Sequence, residues 1–270
     1  MRTPLLGVAA ATVACVGLSA RSTPPADHTP AATVADLLAL PRPAVIAHRG
    51  FSAIAPENTI AAVEASIDAG ADMVEVDVLL SADGAVVCIH DDTVDRTTDG
   101  SGRVAELTLA ELKRLDAGGR FDGRFRDERI PTLDEVLAVA RGTILVNVEI
   151  KEEAPVGIVP RVAAAIRGHG MEQRVLLSSF AVHTLRRAVI EAPEIPRALL
   201  VENLRGDTWQ LAREIGVVAV NPKRKLADEG FVAEAHRRGM AVLPYTVNRR
   251  RAMERLIRIG VDGVFTDRPD

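Results

Sequence analysis

The 270-residue sequence predicts an α/β chain, a (β/α)8 TIM barrel with a small insertion after the second strand, on three observations. From Pro43 onward, short apolar runs alternate with longer helical patterns, the rhythm of repeated βα units on a parallel sheet. The apolar runs count to eight, the number that closes such a barrel. Aromatic residues make up only 3% of a chain that is 47% hydrophobic, so Ala, Val, Leu and Ile must fill the core. That composition suits buried parallel strands backed by Ala-rich helices.

Taken in order, residues 1–20 carry Arg2, an apolar run from Pro4 to Leu18 and then small residues. This is the layout of a secretory signal, too short to span a membrane comfortably. Two processing points compete: Cys15 as the lipid-modified first residue of a lipoprotein, and cleavage after Ala20. After the latter, Cys88 is the only thiol left and no intrachain disulfide forms. Export is expected, to the periplasm, the medium or a lipid anchor at the cell envelope, with Cys15 the only route to a membrane. Residues 21–40 read as linker, and the sequence ends at Asp270 without an eighth helix, so residues 35–40 are expected to cover that flank.

The barrel is assigned to residues 41–270, with strands at 45–47, 73–78, 144–150, 175–178, 198–201, 217–220, 241–245 and 263–266. Helices over 60–69, 231–238 and 251–259 each run into a glycine, as C-cap chemistry favours. Residues 90–130 break the alternation with many Asp, Gly and Arg and form the insertion, with a short helix near 109–115. Such excursions usually contribute to a binding site. The 33 basic and 37 acidic residues give a charge of -4, and no basic block or zinc-finger spacing occurs, which argues against nucleic acid as a partner.

Residues two apart in a strand share a face, so Glu75 and Asp77 project together while Val74, Val76 and Val78 face the helices. The next barrel strand repeats the device, with Asn147, Glu149 and Lys151 on one face. Two like charges 4 Å apart repel by about 4 kcal/mol at an effective dielectric of about 20, so this trio calls for a cation or a proton. All three candidate ligands are oxygens, which favours Mg or Ca over Zn. Salt bridges to Lys151 and Arg49 are the alternative.

His48 ends the first strand and His90 follows an apolar run, both where barrel active sites lie. One neutral and one protonated imidazole can share base and acid roles near neutral pH. Arg49 offers a planar charged fork for phosphate oxygens. Pro56-Glu57-Asn58-Thr59 opens the first barrel helix, with Asn58 placed to cap it or to face an anion. Lys151 is a further candidate substrate contact. Phe180 and Tyr245 each follow a strand and form either an apolar wall beside the substrate or a plug for the top of the core. His169, His183 and His236 lie in or beside helices and carry no such expectation, and Lys223-Arg224-Lys225 reads as a solvated loop.

Ala47-His48-Arg49-Gly50, Pro56-Glu57-Asn58-Thr59, Glu75-Val76-Asp77, His90-Asp91, Val148-Glu149-Ile150-Lys151 and Asp262-Gly263-Val264-Phe265-Thr266-Asp267-Arg268-Pro269 resemble, in order, the motifs of the glycerophosphodiester phosphodiesterase family. The resemblance spans about residues 43–269, and the insertion resembles the family's own. It implies that Glu75, Asp77 and Glu149 hold Mg or Ca, that His48 and His90 serve as acid and base, and that Arg49 binds phosphate. The implied reaction is hydrolysis of a small-molecule glycerophosphodiester to sn-glycerol 3-phosphate and an alcohol. Tyr245 stands where many relatives place Trp, a departure that bears on headgroup preference. A lysophospholipase D or sphingomyelinase D-like enzyme on the same barrel would add an apolar groove for acyl chains. A catalytically silent, secreted phosphate-ester-binding protein would lack a ligand or a histidine, and here none is missing.

Overall fold

The structure is a computed structural model that describes residues 31–151, 154–155 and 157–270; the signal segment, Cys15 and the first half of the linker lie outside the described residues. The strands are β1 (Ala44–Ala47), β2 (Met73–Leu80), β3 (Val86–Cys88), β4 (Leu145–Ile150), β5 (Val175–Ser179), β6 (Arg197–Val201), β7 (Ala219–Pro222), β8 (Ala241–Val242) and β9 (Gly263–Thr266). All but β3 run parallel in the order β8-β7-β6-β5-β4-β2-β1-β9, a nearly closed barrel. Backbone bonds from Asp262 to Val242, Phe265 to Pro244 and Val247 to Phe265 bridge the remaining seam. The helices are α1 (Val34–Leu38), α2 (Ile60–Asp68), α3 (Leu109–Leu112), α4 (Leu133–Ala140), α5 (Ile158–Gly168), α6 (Val182–Glu191), α7 (Thr208–Ile215), α8 (Glu229–Arg237) and α9 (Arg250–Arg258). Among the described residues, no helix is long and apolar enough to cross a membrane.

Strand alternation sets the layers. Val74, Val76, Val78, Val146, Val148 and Ile150 pack outward in the largest apolar cluster, under the helices. Ile46, Met73, Leu145, Leu176, Ala198, Ala219, Leu243 and Phe265 fill the barrel interior. The eight expected barrel strands are all present. The seventh is shorter than expected because Pro244 has no N–H to donate to a ladder.

One expectation is corrected, and the insertion after the second strand is present with a side strand ahead of it. The described part of the presumed linker contains α1, whose capping box joins Thr33 and Asp36. Its Val34 and Leu37 are buried against the barrel interior, and Val34 donates to the Gln173 carbonyl ahead of β5. The segment therefore seals the base of the barrel, packing on the apolar side chains of its interior, and does not cover the flank. The excursion after β2 also begins with a strand: β3 pairs antiparallel with β2, matching Val78 to Cys88 and Leu80 to Val86. The polar loop with α3 follows, and its Arg96 bonds Glu57 of the loop between β1 and α2.

Candidate active site

The parallel register of β2 and β4 sets Glu75 beside Asn147 and Asp77 beside Glu149. One oxygen from each of Glu75, Asp77 and Glu149 lies within 4.8 Å of the others. All three are nearly excluded from solvent, with Glu75 2% and Asp77 1% exposed. Their partners are few. Asp77 accepts from Asn58 at 2.9 Å and from Lys151 at 3.3 Å, and lies 3.4 Å from the Arg49 Nε. Lys151 also donates to Glu149 at 2.7 Å. Glu75 accepts the Arg49 backbone N–H at 2.6 Å through Oε2, while its buried Oε1 has no partner.

Burial, followed by the neighbouring Asp77 charge, pushes the Glu75 and Glu149 carboxyls above their usual range. Asp77 moves the other way: burial opposes its ionisation, but the charges of Lys151, Arg49 and His90 outweigh it. Three carboxylates facing two fixed cations leave a deficit of positive charge. An orphaned carboxylate oxygen inside an all-oxygen cluster is what a hard divalent cation would complete.

The two histidines flank this cluster, each tied through Nδ1 to a carboxylate. His48 lies 2.7 Å from Asp267, which also accepts from Ser52 at 3.2 Å and takes a further bond from Asn248. His90 lies 2.6 Å from Asp91. With Nδ1 engaged, Nε2 is the nitrogen left for proton exchange. Their environments push them apart. Burial disfavours the charged form of His48, yet the Asp267 bond and the Glu75 charge override it and raise its pKa. Burial lowers His90, where the Arg49 and Lys151 charges offset the pull of Asp77 and Asp91.

His48, Arg49, His90, Glu149, Lys151, Phe180 and Tyr245 line one cleft of about 220 Å³. Phe180 and Tyr245 meet edge to face with centroids 5.8 Å apart, so they form a wall of that cleft. Arg49 carries a φ of 55°, a left-handed conformation that brings its backbone N–H to Glu75 and its side chain to Glu57. The next residue must be glycine: a Cβ on Gly50, at φ +80°, would sit 2.5 Å from the Ala62 Cβ.

Asn58 is not the cap of α2. Thr59 caps α2, accepting from the Ala62 N–H at 3.3 Å. The Asn58 amide is buried and bonds Asp77 at both ends, donating to its carboxylate and accepting its backbone N–H at 3.0 Å. It holds a ligand candidate in place. His169 and His236 pair with Asp134 and Asp262 away from the cleft, and Lys223 pairs with Glu202.

Three contributors escaped sequence reasoning. Asp267 and Glu57 sit inside motifs quoted above, but the partner of Asp267 is 219 positions away. Arg96, one of many arginines in an aperiodic insertion, bonds both Asp91 and Glu57.

Residues 48–270 match the sequence profile of the Glycerophosphoryl diester phosphodiesterase family. The chain is 42% identical over 229 residues to a glycerophosphodiester phosphodiesterase of Caldanaerobacter subterraneus, covering 84% of this chain and 94% of the relative. It is 33% identical over 261 residues to a Bacillus subtilis glycerophosphodiester phosphodiesterase, covering 89% and 88%. An Oleispira antarctica phosphodiesterase in complex with the product sn-glycerol-3-phosphate aligns with a TM-score of 0.78 at 34% identity, over 84% of this chain and 94% of that one. On the profile match, the relatives and the fold, this chain belongs to the glycerophosphodiester phosphodiesterase family.

Proposed function

We propose that this enzyme hydrolyses glycerophosphodiesters to sn-glycerol 3-phosphate and an alcohol, with Glu75, Asp77 and Glu149 holding Mg or Ca and with His48 and His90 moving the protons. The observation that carries this reading is the pairing of a three-carboxylate cluster containing an orphaned oxygen with two carboxylate-bound imidazoles on one small cleft. A divalent ion, when bound, neutralises charge on the phosphodiester and on its transition state. Arg49, already fixed by Glu57 and Asp77, presents a permanent charge to the phosphate oxygens. Lys151 adds a second charge at the cleft wall while it neutralises Glu149.

His48, whose pKa is raised by the Asp267 bond and the Glu75 charge, is the histidine better suited to carry the proton and to donate it from Nε2 to the departing alcohol oxygen. His90, with its pKa lowered, stays neutral and takes the proton of the attacking oxygen. Phe180 and Tyr245 shield the cleft from water on one side. Export through residues 1–20 completes the proposal, and cell fractionation tests it.

The test is release of glycerol 3-phosphate and choline by the purified protein from glycerophosphocholine, with release of choline from lysophosphatidylcholine in parallel, in Mg, Ca or EDTA. Turnover of the diester that requires the cation supports the reading. Undiminished turnover in EDTA, or in a His48→Ala plus His90→Ala protein, overturns it. Preference for lysophosphatidylcholine transfers the assignment to the lysophospholipase D-like alternative.

A further inference from the structure

We infer that Arg96, from the insertion, is a positioning residue that fixes His90 through Asp91 and Arg49 through Glu57. The inference rests on the proposed roles of His90 and Arg49.

One guanidinium makes four bonds to two carboxylates. Nε donates to Asp91 at 2.6 Å and Nη2 to the same carboxylate at 3.1 Å; Nη1 and Nη2 donate to Glu57 at 2.7 and 2.8 Å. Each of those carboxylates holds a group of the cleft: Asp91 the His90 Nδ1 at 2.6 Å, Glu57 the Arg49 Nη1 at 2.9 Å. The chain of alternating charge therefore runs Asp77, Arg49, Glu57, Arg96, Asp91, His90. It joins the β1–α2 loop to the insertion across 39 positions of sequence.

A half-exposed arginine on a loop is usually a solvated ion pair worth little. Two features set Arg96 apart. The first is the double fork, which removes the freedom of two carboxylates at once and is more than a point charge can do. The second is the loop itself: Val94 and Thr98, on either side of Arg96, are both 0% exposed, and the Thr98 hydroxyl donates to the Val94 carbonyl at 2.8 Å. The base of the side chain is thus anchored independently of the ions it binds. Without Arg96, Asp91 would keep only its histidine partner among the described residues, and both side chains would be free to turn together.

The test measures kcat, KM and Tm on glycerophosphocholine at saturating Mg for the wild type and six single variants. Arg103→Ala removes another exposed ion pair of the insertion, with Asp92 at 3.1 Å, and serves as the control that leaves kcat and KM unchanged. Arg96→Ala is expected to lower kcat roughly tenfold to a hundredfold, the range seen when a group orienting a site residue is lost, with a Tm change no larger than that of the control. Its two arms separate: Asp91→Asn lowers kcat with KM near wild type, whereas Glu57→Gln chiefly raises KM. Arg96→Lys keeps the charge but not the fork, and is expected to remain at least about fivefold below wild type in kcat. It also decides the matter if Arg96→Ala does not fold. Arg96 variants within twofold of wild type in kcat and KM, or Asp91→Asn and Glu57→Gln with indistinguishable effects, overturn the inference. The His90→Ala protein distinguishes the two failures: if it retains full turnover, the reading of the site has failed and not the positioning role alone.

Discussion

Replacing Glu75 by Gln should make the metal-free protein more stable and the metal-bound protein less so. Glu75 is 2% exposed and lies within 4.8 Å of the Asp77 and Glu149 oxygens, so its negative charge is opposed by burial and by two like neighbours. At 4.8 Å and an effective dielectric of about 20, one such pair repels by about 3.5 kcal/mol. Attraction from His48 and Arg49 cancels a large part, leaving a relief on the order of 1–2 kcal/mol for the isosteric amide. The Gln carbonyl still accepts the Arg49 N–H, so the backbone bond survives. The sign of the pH effect follows from the raised Glu75 pKa: the folded chain binds a proton that the unfolded chain has released. The stabilisation from Glu75 is therefore complete below the unfolded carboxylate value and is lost as pH climbs through the folded one. Calorimetry in EDTA at pH 8 should show Glu75→Gln melting about 2–8 °C above wild type, at roughly 2–4 °C per kcal/mol for a chain of this size. With Mg at about a hundred times its Kd, wild type should gain about 2.7 kcal/mol while the variant gains little. A variant that melts below wild type in EDTA, or that responds equally to Mg, would refute both the charge balance and the ligand assignment.

Three further outcomes follow from the same geometry. The kcat profile should be bell-shaped, rising as His90 deprotonates below its ordinary value of about 6.5 and falling as His48 deprotonates above it; loss of the alkaline limb in His90→Ala, and not in His48→Ala, would reverse the assignment. Asp267→Asn removes a charged hydrogen bond of about 1.5–3 kcal/mol and should shift the alkaline limb down by about one to two pH units, leaving burial to dominate His48, as a kcat titration would show. Gly50→Ala forces a Cβ to 2.5 Å from the Ala62 Cβ at a φ of +80°. It should cost about 2–4 kcal/mol in a urea melt, and a near-neutral result would mean that the β1–α2 loop can move away from α2.

Whether a feature could be read from the sequence depended on how far away its partners lie. Glu75 and Asp77 were readable because a two-residue period places them on one face whatever the rest of the chain does, and Glu149 because β4 repeats the pattern. β3 has only three residues and too little period to see, and the antiparallel pairing that stabilises it is a property of β2. α1 spans barely more than one turn, yet its Thr33 and Asp36 form the cap spacing that marks a helix start. The apolar face of α1 is explained only by the floor it closes, and that floor is built from strands spread over the whole chain. Asn58 shows the same limit on a smaller scale. Its residue type fits a cap, but Thr59 fits equally well, and what decides between them is Asp77, 19 positions on, whose backbone and carboxylate both need a partner.

The site divides along this line. The groups proposed to touch the cation, the phosphate or the travelling protons come from strand ends and short motifs, where local spacing fixes their direction. Of the groups that hold them, Asp267 for His48, Asn58 for Asp77 and Arg96 for Glu57 are brought in by loops from other βα units, whereas Arg96 reaches Asp91 within the insertion. Closing the barrel is what brings these loops together, so the barrel determines the orientation of the imidazoles as well as the place where the carboxylates meet. A strand can supply an imidazole at the rim unaided; that imidazole is held at one angle only when a carboxylate engages its Nδ1 and is itself held, by Asp267 from a distant loop for His48 and by Asp91 under the Arg96 fork for His90, and this is why the second set of residues is as exacting a requirement for the proposed chemistry as the first.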